Sequence, residues 1–449
     1  MSWDKEEEMN FFCRKEGKMK NSLNEKRKKP IANATMFITF MGIVSLLSDM
    51  THEGASGISG AYLTLLGASG TAIGFVSGMG TLIGYGLRLL TGYIADKKKN
   101  YWVMTIVGYA IDLLLIPFLA LVPENGWLLA CGLILAGKVG NAIKKPAKDT
   151  MVSFAASEKG EGRGFAILEF VDQIGAFLGP TILFFVMLAT RDMSEYKRYC
   201  ICFAVLAVPA LACVALLFAS KRKFPHPDEY EKEKPEHTKV GLKKAYIVYL
   251  VGACLIAIGF IDFPLITAFE TTRDLVPTDY LPLLYSGAML ADAFAALIFG
   301  FLYDKKNFLT LFISALLSAP FALLVFFTDS LAWLIVGVIM WGVGMGAQES
   351  VMKSAIATLT GKNNRSFGYG VFQLCFGAAW FVGSYVTGIL YDKSKIAMIA
   401  LSVSAQLAAA IVFLAIFLMR KRNEPKAPSQ RTDRLTNRPF NNIIIYVLT

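Results

Sequence analysis

Three ionisable residues stand within five positions of the first long apolar stretch: Asp49, His52 and Glu53. Spacings of three and four residues put Asp49 on one helical face with both of the others. Two carboxylates in one low-dielectric site cannot both ionise cheaply, so such a pair has the property a proton carrier needs. A divalent metal would find suitable ligand types here, but with one histidine, no nearby cysteine and no second cluster it is the weaker reading. A solvated outer mouth is the remaining alternative, because the triplet stands well along its helix.

A second concentration is cationic: Lys138, Lys144, Lys145 and Lys148, with Asp149 beside them and Pro146 interrupting the run. Lys138 and Lys145 are two turns apart on one face, and Lys144 and Lys148 share another. Such a wall would bind anionic substrate groups or pair with acids, although lysines near the end of a span also reach water by snorkelling. Further ionisable or amide groups stand in apolar surroundings: Arg88, Asp112, Glu169, Asp172, Gln173, Asp262, Asp292, Gln348 and Glu349. Charge inside a span costs from about 2.5 to more than ~10 kcal/mol, so each must face a cavity or a partner. Arg88 is expected to neutralise one of these acids. The aromatics Trp341, Tyr369, Phe372, Phe376 and Trp380 could line a cavity, though packing is their commoner role.

These residues are carried by a chain of 449 residues that is 55% hydrophobic, 12% aromatic and only 18% charged, which excludes an ordinary soluble domain. Crossing a hydrocarbon core of about 30 Å takes roughly 20 apolar residues, and such windows recur from Thr35 to Met419. They are too long and too uniformly apolar for barrel strands, so they are helices. The expectation is an all-α membrane protein of twelve transmembrane helices in two six-helix halves, residues 34–220 and 245–420. Around them lie an N-terminal tail (1–33), a charged linker with three prolines (221–244) and a C-terminal tail (421–449).

The net charge of +11 falls in the gaps between spans, on alternate sides, which is a pattern of membrane orientation rather than of nucleic-acid binding. It puts both termini and the linker in the cytoplasm, with no removable signal peptide. Seven cysteines without metal-ligand spacing read as buried thiols. No nucleotide-binding glycine loop, paired Cys/His motif or nucleophile elbow is present in the sequence, so neither an enzyme nor a cofactor is expected.

The chain repeats itself. Gly92-Tyr-Ile-Ala-Asp96-Lys97 closes the second apolar segment, and Gly300-Phe-Leu-Tyr-Asp304-Lys305 closes the eighth. This doubled turn, with twelve spans in two halves, resembles the major facilitator superfamily, whose second glycine and following arginine are replaced here by Lys99 and Asn100. Lys138 stands where the family usually carries an arginine. Gly175-Ala-Phe-Leu-Gly179-Pro180 looks like the motif of the family's proton-exchanging exporters, while the matching stretch from Gly377 to Gly383 is followed by Ser384 in place of proline. The resemblance implies alternating access, with a small-molecule substrate bound between the halves near the midplane.

The combined expectation is a multi-pass protein of the cytoplasmic membrane, a monomer, performing proton-coupled efflux of a small organic solute. Import of an anionic metabolite and a non-transporting receptor or scaffold are the alternatives. Asp96 and Asp304 are expected to latch the cytoplasmic side by docking on the helix N-termini near Ser366 and Gly164 of the opposite halves.

Overall fold

Lipid offers no hydrogen-bond partners, so each crossing must close its own backbone bonds. The computed structural model describes residues 4–156, 161–227, 244–273 and 275–423, with the side chains of 4–34, 156, 161–169, 244, 304, 349, 353, 357, 358, 361–367 and 420–423 outside the description. Every regular element among the described residues is a helix. In the first set these are α1 (Asp4–Leu65), α2 (Gly70–Lys98), α3 (Tyr101–Phe118), α4 (Trp127–Ala156), α5 (Glu161–Ala189), α6 (Glu195–Val205) and α7 (Ala207–Lys223). The second set comprises α8 (Lys244–Gly259), α9 (Phe263–Arg273), α10 (Leu281–Lys306), α11 (Phe308–Ser318), α12 (Phe321–Phe326), α13 (Leu331–Lys393) and α14 (Lys395–Asn423). Most of the expected linker lies outside the described residues.

Among the described residues, eleven segments are long and apolar enough to cross a membrane. The twelfth crossing is α1 from residue 35 onward, whose apolar run is interrupted by Asp49, His52 and Glu53. Three crossings expected as single helices are each built from two pieces. Glu195–Lys223 is divided at Leu206, and Phe308–Phe326 at Ala319-Pro320. In Ala245–Arg273 the helix stops after Gly259 and restarts at Phe263-Pro264, an instance of glycine at a helix end and proline in a first turn. Asp262 lies in that break. Conversely, α13 makes two crossings, Leu331–Ile356 and Gly368–Lys393, and folds back between them, since Gly368 lies against Ile356 and Thr360.

One end of the bundle collects Lys97, Lys98 and Lys99, Lys221 to Lys223, and Lys305 and Lys306, all in last turns or just past them. We refer to it as the lysine-rich end. At the opposite end α1 finishes and α2 begins.

Two close approaches hold α1 in place and bring the sets together. A Cβ on Gly175 or Gly179 of α5 would strike the backbone of Leu46 or Met50, so α5 runs backbone to backbone along α1 beside Asp49. Gly74 of α2 meets the backbone of Ser384 and Gly388 in α13 in the same manner. Gly179→Ala is expected to cost about 1–3 kcal/mol through overpacking. Gly86→Ala, where a Cβ meets nothing within 4 Å, should gain up to about 1 kcal/mol of helix propensity. Thermal denaturation of the two variants in detergent checks that the midpoints move in opposite directions.

Candidate functional site

The acids and bases of the first set form a chain of contacts inside the bundle. Asp112 of α3 is 1% exposed and Lys144 of α4 is 6% exposed. They form an ion pair at 2.5 Å, and the Lys144 ammonium also donates to Ser48 Oγ at 3.0 Å and lies over the Tyr109 ring at 4.1 Å. Lys148 donates to Ser45 Oγ on α1. Nearly two turns before Lys144 on α4, Lys138 Nζ is 3.3 Å from His52 Nε2. Lysine has only donors, so this contact assigns Nε2 as the acceptor and leaves the proton on Nδ1, which faces Glu53 Oε1 at 3.4 Å. His52 Nε2 is also 3.9 Å from Asp112 Oδ1.

Glu53 carries this chain across the molecule. Its Oε2 accepts a 2.5 Å hydrogen bond from the Tyr285 hydroxyl, and Tyr285 belongs to α10 of the second set. The tyrosine ring also covers Gly57 of α1. Asp49 is half-buried one turn away, with Asp172, Glu53, Lys148 and Lys144 as its charged neighbours.

Between the two sets lies a cavity of about 670 Å³. His52 and Trp380 are at its floor, and Arg88, Lys145, Asp149 and Tyr369 lie towards its lysine-rich mouth. Among the described residues its charged lining comes from the first set: His52, Arg88, Lys138, Lys145 and Asp149. From α13 come aromatic rings and amides. Phe372 and Phe376 are stacked with centroids 5.1 Å apart, and Phe376 and Trp380 are 5.5 Å apart. Behind the wall, Asp262 in the α8–α9 break accepts hydrogen bonds from Trp380 Nε1 at 2.8 Å and from Ser384 Oγ. That carboxylate fixes the tilt of the indole.

At the opposite end the sets are joined. Asp392, at the end of α13, accepts from the backbone N–H groups of Gly70 and Thr71 at 2.9 and 2.8 Å and from the Thr71 hydroxyl at 2.6 Å. A carboxylate of one set thus caps the first turn of α2 in the other, where free N–H groups and the helix dipole both favour negative charge. Asp279, preceding α10, pairs with Arg191 at 2.5 Å and with Arg198. Ser286 of α10 donates to the Phe177 carbonyl and meets the Thr181 hydroxyl of α5. The cavity is therefore sealed at this end and open at the lysine-rich one.

Most of the residues singled out from sequence fall into these arrangements. Asp49, His52, Glu53, Asp112, Lys138, Lys144 and Lys148 come together. The cationic wall divides by helical phase: Lys138 and Lys145 line the cavity, while Lys144 and Lys148 turn to α1 and α3. Arg88, expected on an acid, instead donates to Asn141 at 3.2 Å and lies 4.9 Å from the Tyr85 ring centre. Asp292 is buried against Gly346, away from the cluster. Asp96 is exposed at the lysine-rich end. The side chains of Asp304 and Glu349, and of Ser366 and Gly164, lie outside the described residues. Tyr285, Asp279, Asp392, Arg191 and Arg198 were not foreseen as parts of a site; a tyrosine in an apolar span and charges beside loops carry no distinguishing pattern.

A sequence profile of the Major Facilitator Superfamily matches residues 9–180 and 264–448, and the chain belongs to that family. An uncharacterized protein of Mycobacterium tuberculosis is 34% identical over 398 residues, covering 87% of this chain and 95% of its own. An uncharacterized MFS-type transporter of Methanocaldococcus jannaschii is 24% identical over 382 residues, covering 80% of this chain and 89% of its own. Among solved structures, a variant of a nucleoside transporter shares the fold with a TM-score of 0.67 at 13% identity, covering 85% of this chain and 100% of that one. Family and fold make this a multi-pass membrane transporter.

Two outcomes follow from the geometry. Asp112→Ala leaves Lys144 buried without its carboxylate and is expected to cost about 3–5 kcal/mol, whereas Asp112→Leu with Lys144→Met should recover most of that loss; thermal unfolding in detergent measures both. At the sealed end, Asp279→Asn with Asp392→Asn should loosen the closure. In a background without native cysteines, Ser286→Cys, fully buried in the parent, should then react with a small maleimide several-fold faster.

Proposed function

We propose that this chain is a proton-coupled secondary transporter of the cytoplasmic membrane, acting as a monomer on a small organic solute. The excess of lysine and arginine at one end supports a cytoplasmic location for that end and for both termini. On this reading the cavity faces inward, and the seal made by Asp279, Asp392 and Ser286 closes the outer side.

One observation carries the coupling. The Glu53 carboxylate belongs to the charge cluster of the first set and at the same time receives the Tyr285 hydroxyl from the second. A hydrogen bond to an ionised group contributes about 1.5–3 kcal/mol, against about 1 kcal/mol between neutral groups. Protonating Glu53 therefore changes the strength of a bond that holds the outer side shut, by about 1–2 kcal/mol. A difference of that size shifts the balance of inward-open and outward-open states roughly tenfold, and only such a difference can couple proton movement to a conformational change. Asp49 is the second acidic group in reach of the same lysines and completes the carboxylate pair.

The Gly175 to Pro180 stretch supports the outward direction, solute against proton, through its likeness to exchanging exporters. Asp96 and Asp304 would serve the other half of the cycle: when the inner side closes, each can dock on a helix N-terminus of the opposite set for up to about 1 kcal/mol if exposed.

Drug-susceptibility and metabolite profiles of cells with and without the protein supply a transported compound. In proteoliposomes, an imposed pH gradient should drive that compound against its own gradient, and Glu53→Gln should abolish the driven component while leaving downhill exchange measurable. Tyr285→Phe should uncouple partially. Unchanged driven transport in Glu53→Gln together with Asp49→Asn overturns the assignment.

A further inference from the structure

The cavity is chemically two-faced, and each face names part of a ligand. Lys138 and Arg88 both line it, and neither lies within ion-pair distance of a carboxylate among the described residues. Their polar contacts are neutral: His52 for Lys138, Asn141 for Arg88. Arg88 Nε is buried without a hydrogen-bond partner among the described residues, and so is the Gln348 carbonyl oxygen across the cavity. Asn141 stands one turn beyond Lys138 on α4, so the guanidinium that it holds lies on the same wall as the ammonium, nearer the mouth. Two cations on one wall of a low-dielectric recess, neither in an ion pair among the described residues, form a site for an anion, and a guanidinium offers a carboxylate or a sulfonate paired donors in fixed geometry.

The facing wall carries no charge among its described lining residues. It presents Phe372 stacked on Phe376 and Trp380 tilted against them. Such a run of stacked and tilted rings lines the wall with aromatic surface that favours another flat ring, with an aromatic contact contributing beyond area burial alone. The Trp380 indole N–H is already spent on Asp262, so this residue offers its face rather than a donor. A purely aliphatic solute would use the apolar area but not the geometry, and a cation would meet His52, Arg88, Lys138 and Lys145 against Asp149 among the described lining residues.

We propose that the cargo class is an aromatic organic anion, its acidic group held by Arg88 and Lys138 and its ring laid on Phe372, Phe376 and Trp380. This rests on the reading of the cavity as the transport site. Lys138 also touches His52, which faces Glu53, so the bound anion is linked to the carboxylate assigned to the proton through two side chains. Cargo and proton thereby act on one short chain of groups.

Equilibrium dialysis of the full-length protein in detergent, with radiolabelled 2-naphthoate as the probe, tests this without any gradient. Naphthoate should bind saturably. 2-Naphthamide, which keeps the ring and loses the charge, and decalin-2-carboxylate, which keeps the charge and loses the ring planarity, should each compete at least tenfold more weakly. Arg88→Gln, Lys138→Gln and Phe376→Leu should each weaken naphthoate at least tenfold, with thermal unfolding showing that the variants remain folded; Arg222→Gln, at the end of α7, serves as a control that leaves binding unchanged. Equal competition by the amide overturns the anion site, equal competition by the decalin acid overturns the aromatic slot, and no saturable binding of naphthoate overturns both. If naphthoate binds as expected but is not moved across proteoliposomes, the transport reading falls while the binding class stands.

Discussion

The bond from Tyr285 to Glu53 is the point on which the rest of this structure turns. Around it, contacts stay largely within one set of helices: Asp112 with Lys144, Lys138 with His52, Asp262 with Trp380. Glu53 alone joins the buried ionisable cluster directly to the second set by a described hydrogen bond. The cluster needs that position. Carboxylates and ammonium groups in a hydrocarbon surround are tolerable only when paired or facing a cavity, and a cluster paired entirely within one bundle would have no means of acting on the other. Close approach of α5 to α1 at Gly175 and Gly179 holds the triplet at the depth where Tyr285 can reach it.

The two sets share a sequence pattern but do different work. Each carries the Gly-x-x-x-Asp-Lys turn, and each contributes a carboxylate close to the cavity, Glu53 in one and Asp262 in the other. Glu53 is tied to histidine and lysine, partners that can trade protons or charge. Asp262 is tied to an indole N–H and a hydroxyl, partners that can only hold it still. One acid is therefore placed in a charge network, while the other positions an aromatic wall.

How much of this could be read from the chain depends on the range of the signal. The membrane class, the crossings and the repeat are local or periodic properties and were legible. So was the division among the α4 lysines, because helical phase alone separates Lys138 and Lys145 from Lys144 and Lys148. The breaks near Leu206, Phe260 and Pro320 were not anticipated: each crossing is continuous in hydropathy, and only Gly259 with Pro264 marks a stop and restart locally. Arg88 was assigned to an acid on charge grounds, yet Asn141 stands nearer, and nothing in a one-dimensional pattern ranks an amide above a carboxylate. Tyr285 and Asp392 are joined to their partners Glu53 and Gly70 over separations of 232 and 322 positions, and pairing across the halves leaves no periodicity to read.

Asp392 brings a consequence of another kind. Its carboxylate is exposed, and Arg191, which shares Asp279 with Arg198, has a side chain 51% exposed. The clasp between the sets is thus partly bathed in electrolyte, where charges are screened over about 8 Å at physiological ionic strength. The seal of the cavity floor is therefore not a private matter of the protein interior. The salinity of the medium on that face enters the energy of closure directly, so the resting poise of the molecule is set in part by the water it lives beside.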